Sequence, residues 1–163
     1  MDKLAKTILA YMKNHNTLTL TTVLDNKPQA VSLFYVNVGL KLYFLSEPKT
    51  RHCTNLSANS AIAATISEDY HNWKEIKGIQ LEGRADQVTG VVEKARAMAA
   101  YVEKFPFVAD FIKSADFRQM MDKVKFYEIT PDTVWFIDNS QGFSHREQLV
   151  LSKSSLESET EVD

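Results

Sequence analysis

The chain has 163 residues, a formal net charge of −2 and charged side chains at 25% of its positions. That length suits one domain with a buried core, and the charge excludes the broad basic surface that nucleic-acid binding requires. A single cysteine, Cys53, excludes an internal disulfide, and no run of about 18 apolar residues is present to span a membrane. We therefore expect a cytoplasmic protein with no nucleic-acid or membrane partner.

The N-terminal part of the chain is predicted to form one helix followed by a β-meander. Leu4, Ile8 and Tyr11 recur at helical spacing, which predicts an amphipathic helix over residues 2–14 with Asp2 as its cap. Alternating threonines and leucines, and then β-branched and aromatic runs, predict strands. These strands lie at 17–24, at 29–38 (a central strand, apolar on both faces) and at 41–45, with a turn at 25–28.

The remaining chain continues with a short helix over 51–59, a buried strand over 61–66 and a long strand over 76–88. Gly78 and Gly83 inside that long strand predict a bulge or a barrel corner. The next helix follows Gly90, ends at Pro106 and presents one apolar face formed by Val91, Ala95, Met98 and Val102. One or two short helices and a last strand over 125–137, bent at Pro131, complete a domain of residues 1–139. Residues 140–163 form a C-terminal segment that ends in a disordered acidic tail, SKSSLESETEVD.

About six strands in a meander, with helices at its start, in a crossover and near its end, predict an α+β fold that is mainly β. We expect a six-stranded antiparallel barrel with flanking helices. The sequence has no GxGxxG, P-loop, HExxH or CxxC motif, so dinucleotide fingerprints are excluded and a metal site is not expected. Cys53 lies within a predicted helix, which favours a buried apolar role over a nucleophilic one.

The segment LYFLSEPKTRHCTNL places a candidate site where a strand turns into a helix. Thr50 is a suitable N-cap, and Lys49, Arg51 and His52 crowd a helix end that disfavours cations unless an anion is present. A bound phosphate would resolve the conflict, since helix N–H groups and an arginine fork both bind phosphate. The alternative is a solvated turn whose basic residues pair with the acidic side chains at 47 or 68.

Several stretches together resemble the FMN-binding split barrels of the pyridoxamine-phosphate-oxidase-like superfamily: PQAVSLFYV, KLYFLSEPKTRHCTNLSANSAIAATI and IQLEGRA. The resemblance runs from about residue 17 to 137. In that superfamily a Ser/Thr–Arg–Lys group and a following Asn hold the FMN phosphate, which here implies Thr50, Arg51, His52 and Asn55. His52 occupies the lysine position, so the resemblance implies a phosphate contact that depends on pH.

The resemblance also implies further cofactor-binding residues. Backbone groups near Ser32 and Leu33 would meet the polar edge of the isoalloxazine ring, and Ser46 would lie beside the ribityl chain. Lys49 is a phosphate candidate from its place at the helix end alone. The superfamily places its flavin at a homodimer interface, so the partner subunit completes each site. Candidates for that contribution are Trp73, Lys74, Gln80 and Trp135. The alternatives are core or dimer packing for Trp135 and a plain exposed strand position for Gln80.

The resemblance implies an FMN-dependent oxidoreductase that acts on a small molecule by two-electron transfer, with deazaflavin or haem as less favoured cofactors. A non-catalytic flavin or haem carrier or sensor is the alternative, and a structural dimer that has lost its cofactor is a third. His145 and Arg146 stand in a context, GFSHREQ, that differs from the basic substrate-binding residues of true oxidases. The substrate therefore stays unidentified, and His145 is either a haem ligand or a solvent-exposed histidine.

Overall fold

The computed structural model describes residues 2–152 of the chain. Five helices and eight strands lie within those residues, together with 3-10 turns at Trp73–Glu75 and Asn139–Gln141. The helices are α1 (Lys3–Asn14), α2 (Arg51–Ala58), α3 (Val91–Lys104), α4 (Pro106–Phe111) and α5 (Ala115–Lys123). The strands are β1 (Thr17–Leu24), β2 (Lys27–Phe34), β3 (Val36–Val38), β4 (Lys41–Ser46), β5 (Ala61–Ser67), β6 (Lys77–Gln87), β7 (Lys125–Asp138) and β8 (Arg146–Val150).

The described strands form one antiparallel sheet that runs in the order β2-β1-β5-β6-β7-β4-β3, with β8 on the second half of β7. The sheet curls into a half-barrel, since β2 at one end of this path also contacts β4 near the other end. The predicted α+β class, mainly β and antiparallel, is therefore confirmed, with eight strands instead of six. None of the helices in the described part of the chain is long and apolar enough to cross a membrane.

Two apolar clusters hold the sheet and the helices together. The first lies inside the curl, where Leu20, Phe44 and Ile79 are buried beneath α1 and α2. The second lies on the opposite side of β3 and β4, where Tyr43 packs with Tyr101 of α3. Neighbouring residues of β4 thus serve different clusters, because successive side chains of a strand point to opposite faces.

The prediction of one continuous central strand over residues 29–38 is wrong. The structure divides it into β2 and β3, which lie at opposite ends of the sheet path. Tyr35 separates them: it is fully buried, its N–H donates to the carbonyl of Asn16, and its hydroxyl donates to the carbonyl of Met12 at 2.7 Å. The break arises from hydrogen bonds between Tyr35 and distant residues, namely Met12 in α1 and Asn16 just after it. A run of apolar residues in the sequence does not reveal such contacts.

Gly83 marks a bulge, as predicted. The register between β6 and β7 shifts between Glu82 and Gly83, where β7 passes very close. A Cβ atom at position 83 would lie 2.3 Å from the carbonyl oxygen of Thr130 and 2.8 Å from the Cα of Pro131. Only glycine lets the two backbones approach this closely.

The predicted apolar face of α3 is only partly correct: Met98 packs against the second cluster and Val102 is half-buried, but the first two members of the face are not buried. Val91 is 82% exposed and Ala95 is exposed, whereas Ala97 and Tyr101 are buried. The buried face is defined by Ala97, Tyr101 and, just beyond the helix, Phe105, at i, i+4 and i+8. The hydroxyl of Tyr101 donates to the carbonyls at positions 34 and 43, which fixes the helix against β2 and β4.

Strand β8 is absent from the sequence prediction. Four of its five residues are exposed, so it lacks the apolar alternation by which a strand is recognised. It forms because its backbone pairs with the second half of β7. The domain boundary at 139 stays a prediction, and the tail predicted to be disordered lies, from residue 153 onward, outside the described residues.

Candidate functional site

The β4–α2 turn is the local structure that forms the candidate site. Strand β4 ends at Ser46, and Thr50 is the N-cap residue of α2. The hydroxyl of Thr50 donates to the carbonyl of Glu47 at 2.8 Å and makes no capping hydrogen bond. The first N–H groups of α2 therefore stay without a side-chain cap, which leaves them available to an anion.

The cationic side chains at this turn differ in their surroundings. Lys49 is 85% exposed and its ammonium lies 3.2 Å from the Glu47 carboxylate, so the ion pair of the solvated-turn alternative forms at this position. Arg51 is exposed in the first turn of α2, and its guanidinium has no hydrogen bond or ion pair with any residue from 2 to 152. Arg51 is therefore the cation at this helix end that is ready to bind an anion.

His52 belongs to the first turn of α2, and its contact with a phosphate stays a prediction. The side chain is buried, and its Nε2 is 2.7 Å from the hydroxyl of Ser46 and 3.2 Å from that of Thr50. Its ring also lies 6.4 Å from the ring of Phe44. In this arrangement His52 ties the end of β4 to the start of α2 and positions the turn.

Cys53 extends this buried polar cluster. Its side chain is buried, as predicted. Burial raises the pKa of the Cys53 thiol, but hydrogen bonds from His52, Thr50, Tyr127 and Ser46 outweigh this effect and lower the pKa to about 7. The cluster is thus polar and internally hydrogen-bonded beneath the turn, a property that no sequence motif indicated.

Asn55, the other residue assigned to the phosphate, faces the core. It is buried, and its Nδ2 donates to the hydroxyl of Thr22 on β1 at 3.0 Å. This bond fixes α2 on the sheet. A phosphate contact from Asn55 stays a prediction, and Thr22 is a buried partner of Asn55 that the sequence did not identify.

Ser32 and Leu33 line an apolar cleft of about 350 Å³ between β2, β4 and the helices α3 to α5. The β4 residue in this cleft is Leu45, the neighbour of Ser46. The cleft and the phosphate candidate therefore meet at the end of β4, on opposite faces of the strand. The other lining residues are Phe34, Met98, Tyr101, Phe105, Phe107, Val108, Phe111, Phe117 and Met120.

The four residues assigned to the partner subunit form two separate groups. Gln80 is directly opposite Trp135 on neighbouring strands, and both line a groove on the outer face of the sheet. Trp73 and Lys74 lie in an exposed 3-10 turn, with the Lys74 ammonium 5.6 Å from the Trp73 ring centre. Within residues 2–152, no side-chain hydrogen bond, ion pair or ring contact joins either group to α2.

His145 is half-buried, and its Nε2 is buried without a hydrogen-bond partner among the described residues. It is therefore not the fully solvated histidine that the sequence allowed. No group of three or more His, Cys, Asp or Glu side chains in the described part of the chain is arranged to hold a metal ion.

The arrangement presents a helix end without a side-chain cap, a buried polar cluster beneath it and an apolar cleft beside it. The sequence could have indicated the aromatic residues of the cleft, since Phe105, Phe107, Phe111 and Phe117 are close together along the chain. It could not indicate that the helices leave space between these rings and β2.

Comparison with known proteins agrees with this architecture. Residues 4–138 match the family model described as pyridoxamine 5′-phosphate oxidase. A UPF0306 protein from Photorhabdus laumondii is 29% identical over 122 residues, which cover 74% of this chain and 84% of the relative.

Two solved structures share the fold. A haem-binding protein from Mycobacterium smegmatis is 16% identical with a TM-score of 0.71, over 92% of this chain and 59% of the other. An FAD-binding protein from Mesorhizobium loti is 18% identical with a TM-score of 0.61, over 82% of this chain and 92% of the other. At these identities the comparisons establish a split-barrel fold and leave the ligand of this chain open.

Proposed function

This chain belongs to the pyridoxamine 5′-phosphate oxidase family, and we propose that it binds FMN and transfers two electrons to or from a small molecule. The observation that carries the proposal is the start of α2, where uncapped N–H groups share one helical turn with the guanidinium of Arg51, which has no partner among residues 2–152. Both are donors that suit a phosphate monoester, and the positive end of the helix adds to the attraction.

The donor set fits a phosphate in a particular way. The Thr50 hydroxyl already donates to Glu47, and His52 is buried against Ser46. The backbone N–H groups and Arg51 would therefore hold the phosphate, while the Ser46–His52 bond keeps the turn in position. The phosphate site thus stays where the resemblance implies it. His52 holds the turn in position there instead of contacting the phosphate.

FMN, when bound, supplies reversible two-electron redox chemistry. The chain would orient it through the backbone of β2 near Ser32 and Leu33, which lie on the wall of the apolar cleft. The cleft would exclude water from the reacting molecule. We assign no side chain as a general base.

The proposal includes a cytoplasmic homodimer with the flavin at the subunit interface. The outer face of β5 supports a dimer, since the exposed Ala61, Ala63 and Thr65 form a surface of small side chains. Gln80 and Trp135 adjoin this surface across β6 and β7. A face of this kind permits close approach of a second copy of the chain.

A fluorescence titration of FMN against the purified protein tests the proposal. We expect saturable binding of one flavin per subunit, and Arg51→Ala should weaken it by about 1.5–3 kcal/mol, the scale of a lost charge-assisted hydrogen bond. That corresponds to about a 10- to 150-fold rise in Kd. Arg118→Ala removes the same group from an exposed position on α5 and serves as the control. Equal affinities of the two variants would exclude the phosphate site.

Turnover separates an enzyme from a carrier. The FMN-loaded protein is mixed with a nicotinamide donor and an electron acceptor, and oxidation of the donor is followed by absorbance. Steady oxidation above that of free FMN supports a reductase. Tight flavin binding without turnover favours the carrier or sensor.

Haem binding is the second candidate, because the Nε2 of His145 is buried without a partner among the described residues. An imidazole nitrogen is a common axial ligand of haem iron. The same titration with haemin distinguishes the candidates. A Soret shift that His145→Ala abolishes favours haem, whereas flavin binding unchanged by that substitution favours FMN.

A further inference from the structure

The apolar cleft between the sheet and the helices α3 to α5 is the cavity that the phosphate site does not explain. Its walls come from β2, from Leu45 of β4 and from three successive helices. We infer that this cleft binds the reacting small molecule, and that this molecule is an uncharged, planar aromatic compound. That the bound molecule is the one that reacts rests on the proposed function. Its chemical class follows from the residues that line the cleft.

The lining excludes a charged ligand. None of the lining residues within 2–152 carries an ionisable cation or a carboxylate, and only Ser32 and Tyr101 have a hydroxyl. The hydroxyl of Tyr101 already donates to the carbonyls of Phe34 and Tyr43, at 3.1 and 3.3 Å. A phosphate or carboxylate would lose its hydration there without gaining a partner, which is costly.

The shape and the rings favour an aromatic ligand. A volume of about 350 Å³ lies at the small end of the range for small-molecule pockets. Phe105 meets Phe34 edge to face at a centroid distance of 5.5 Å, and Phe111 meets Phe117 in the same way at 5.6 Å. Rings arranged like this present both edges and faces to a further ring, the geometry that aromatic pairs prefer.

The position of the cleft agrees with a substrate site. Ser32 and Leu33, which the resemblance places against the flavin ring, form part of its wall. Leu45 faces the cleft, and the next residue, Ser46, belongs to the polar cluster at the turn. In the proposed function, a ligand in the cleft would share the wall at Ser32 and Leu33 with the flavin ring, while the phosphate lies on the other face of β4.

An uncharged fluorescent probe, N-phenylnaphthylamine, tests the ligand class directly and without flavin. Its emission rises when it leaves water for an apolar site, so a titration reports its Kd. We expect saturable binding that 2-naphthol displaces and that pyridoxal 5′-phosphate, a charged aromatic compound, does not. Equal displacement by both compounds, or a rise without saturation, would overturn the inference.

Two variants localise the probe. Phe107→Glu places a charge at the rim of the cleft, where the native side chain is 65% exposed and contributes little to the core. Met98→Trp fills the cleft from α3 with a larger side chain. Each should weaken probe binding about tenfold or more. Val91→Glu adds the same charge at a position that is 82% exposed and outside the cleft, and should leave binding unchanged. Wild-type affinity in both cleft variants would refute the assignment.

A parallel FMN titration separates the two proposals. FMN binding without saturable probe binding overturns the inference and leaves the proposed function intact. Probe binding that is lost in the cleft variants, in a protein that does not bind FMN, supports the apolar site and removes the flavin proposal.

Discussion

Replacing Gly83 by alanine tests how closely β6 and β7 cross at the bulge. The added Cβ would lie 2.3 Å from the carbonyl oxygen of Thr130 and 2.8 Å from the Cα of Pro131. Ordinary contacts of such an atom begin at 3.4 Å, so the β7 backbone would have to move by about 1 Å. Both neighbouring atoms belong to backbone, and no side-chain rotation can relieve the clash.

The expected loss of stability follows from this geometry. Overpacking costs about 1–3 kcal/mol, and a clash with backbone places Gly83→Ala at the upper end. The smaller entropy of the unfolded alanine chain offsets about 0.4–1 kcal/mol of that cost. We therefore expect a net destabilisation of about 2 kcal/mol, which in a domain of this size lowers Tm by about 4–8 °C.

Urea unfolding followed by circular dichroism measures the free energy of unfolding, and a thermal melt gives Tm. Gly90→Ala is the matched control: the Cβ would meet only the carboxylate end of the Glu93 side chain, which can rotate away. Gly90 is also the N-cap of α3, where alanine is less favourable than glycine, so Gly90→Ala should cost less than about 1 kcal/mol. A Gly83→Ala protein as stable as this control would refute the argument from the bulge.

Two further substitutions test the contacts around the sheet. Asn55→Leu removes the hydrogen bond that the Thr22 hydroxyl accepts at 3.0 Å, and should lower the free energy of unfolding in urea by about 1–3 kcal/mol. Adding Thr22→Val removes the unpaired hydroxyl and should recover part of that loss. Strictly additive effects of the two substitutions would argue against the hydrogen bond. Burial raises the pKa of Asp138, but hydrogen bonds from Ser140 and the nearby Lys77 ammonium outweigh it and hold the pKa below its ordinary value. The stability that this carboxylate adds is present above about pH 4 and is lost as the pH falls further. Asp138→Asn should therefore lower the urea midpoint at pH 7 more than at pH 3. Equal decreases in the midpoint at the two pH values would contradict the lowered pKa of Asp138.

Local patterns in the sequence determined much of the fold. The helix at 3–14, the first hairpin and β4 follow from apolar periodicity and from a turn where Asp25 and Asn26 adopt positive φ. Gly83 indicated the bulge because a glycine inside a strand commonly marks a place where the backbone bends or another backbone comes close. Thr50 and Arg51 could be placed at a helix start since capping and helix electrostatics act over a few residues.

Only the tertiary structure decided features that depend on distant parts of the chain. Tyr35 breaks the second strand because its hydrogen bonds reach α1 and the residues after it, and β8 exists because β7 offers it a partner. His52 and Asn55 turn inward because the hydroxyl groups of Ser46 and Thr22 lie there to hydrogen-bond with them.

The apolar cleft has the same origin. Each aromatic residue of α3 to α5 is visible in the sequence as an apolar side chain, but the space between them is set by how the helices rest on β2 and β4. Sequence periodicity reports which face of an element is apolar, and it carries no information about the distance between two faces. That distance is what makes the cleft a candidate binding site.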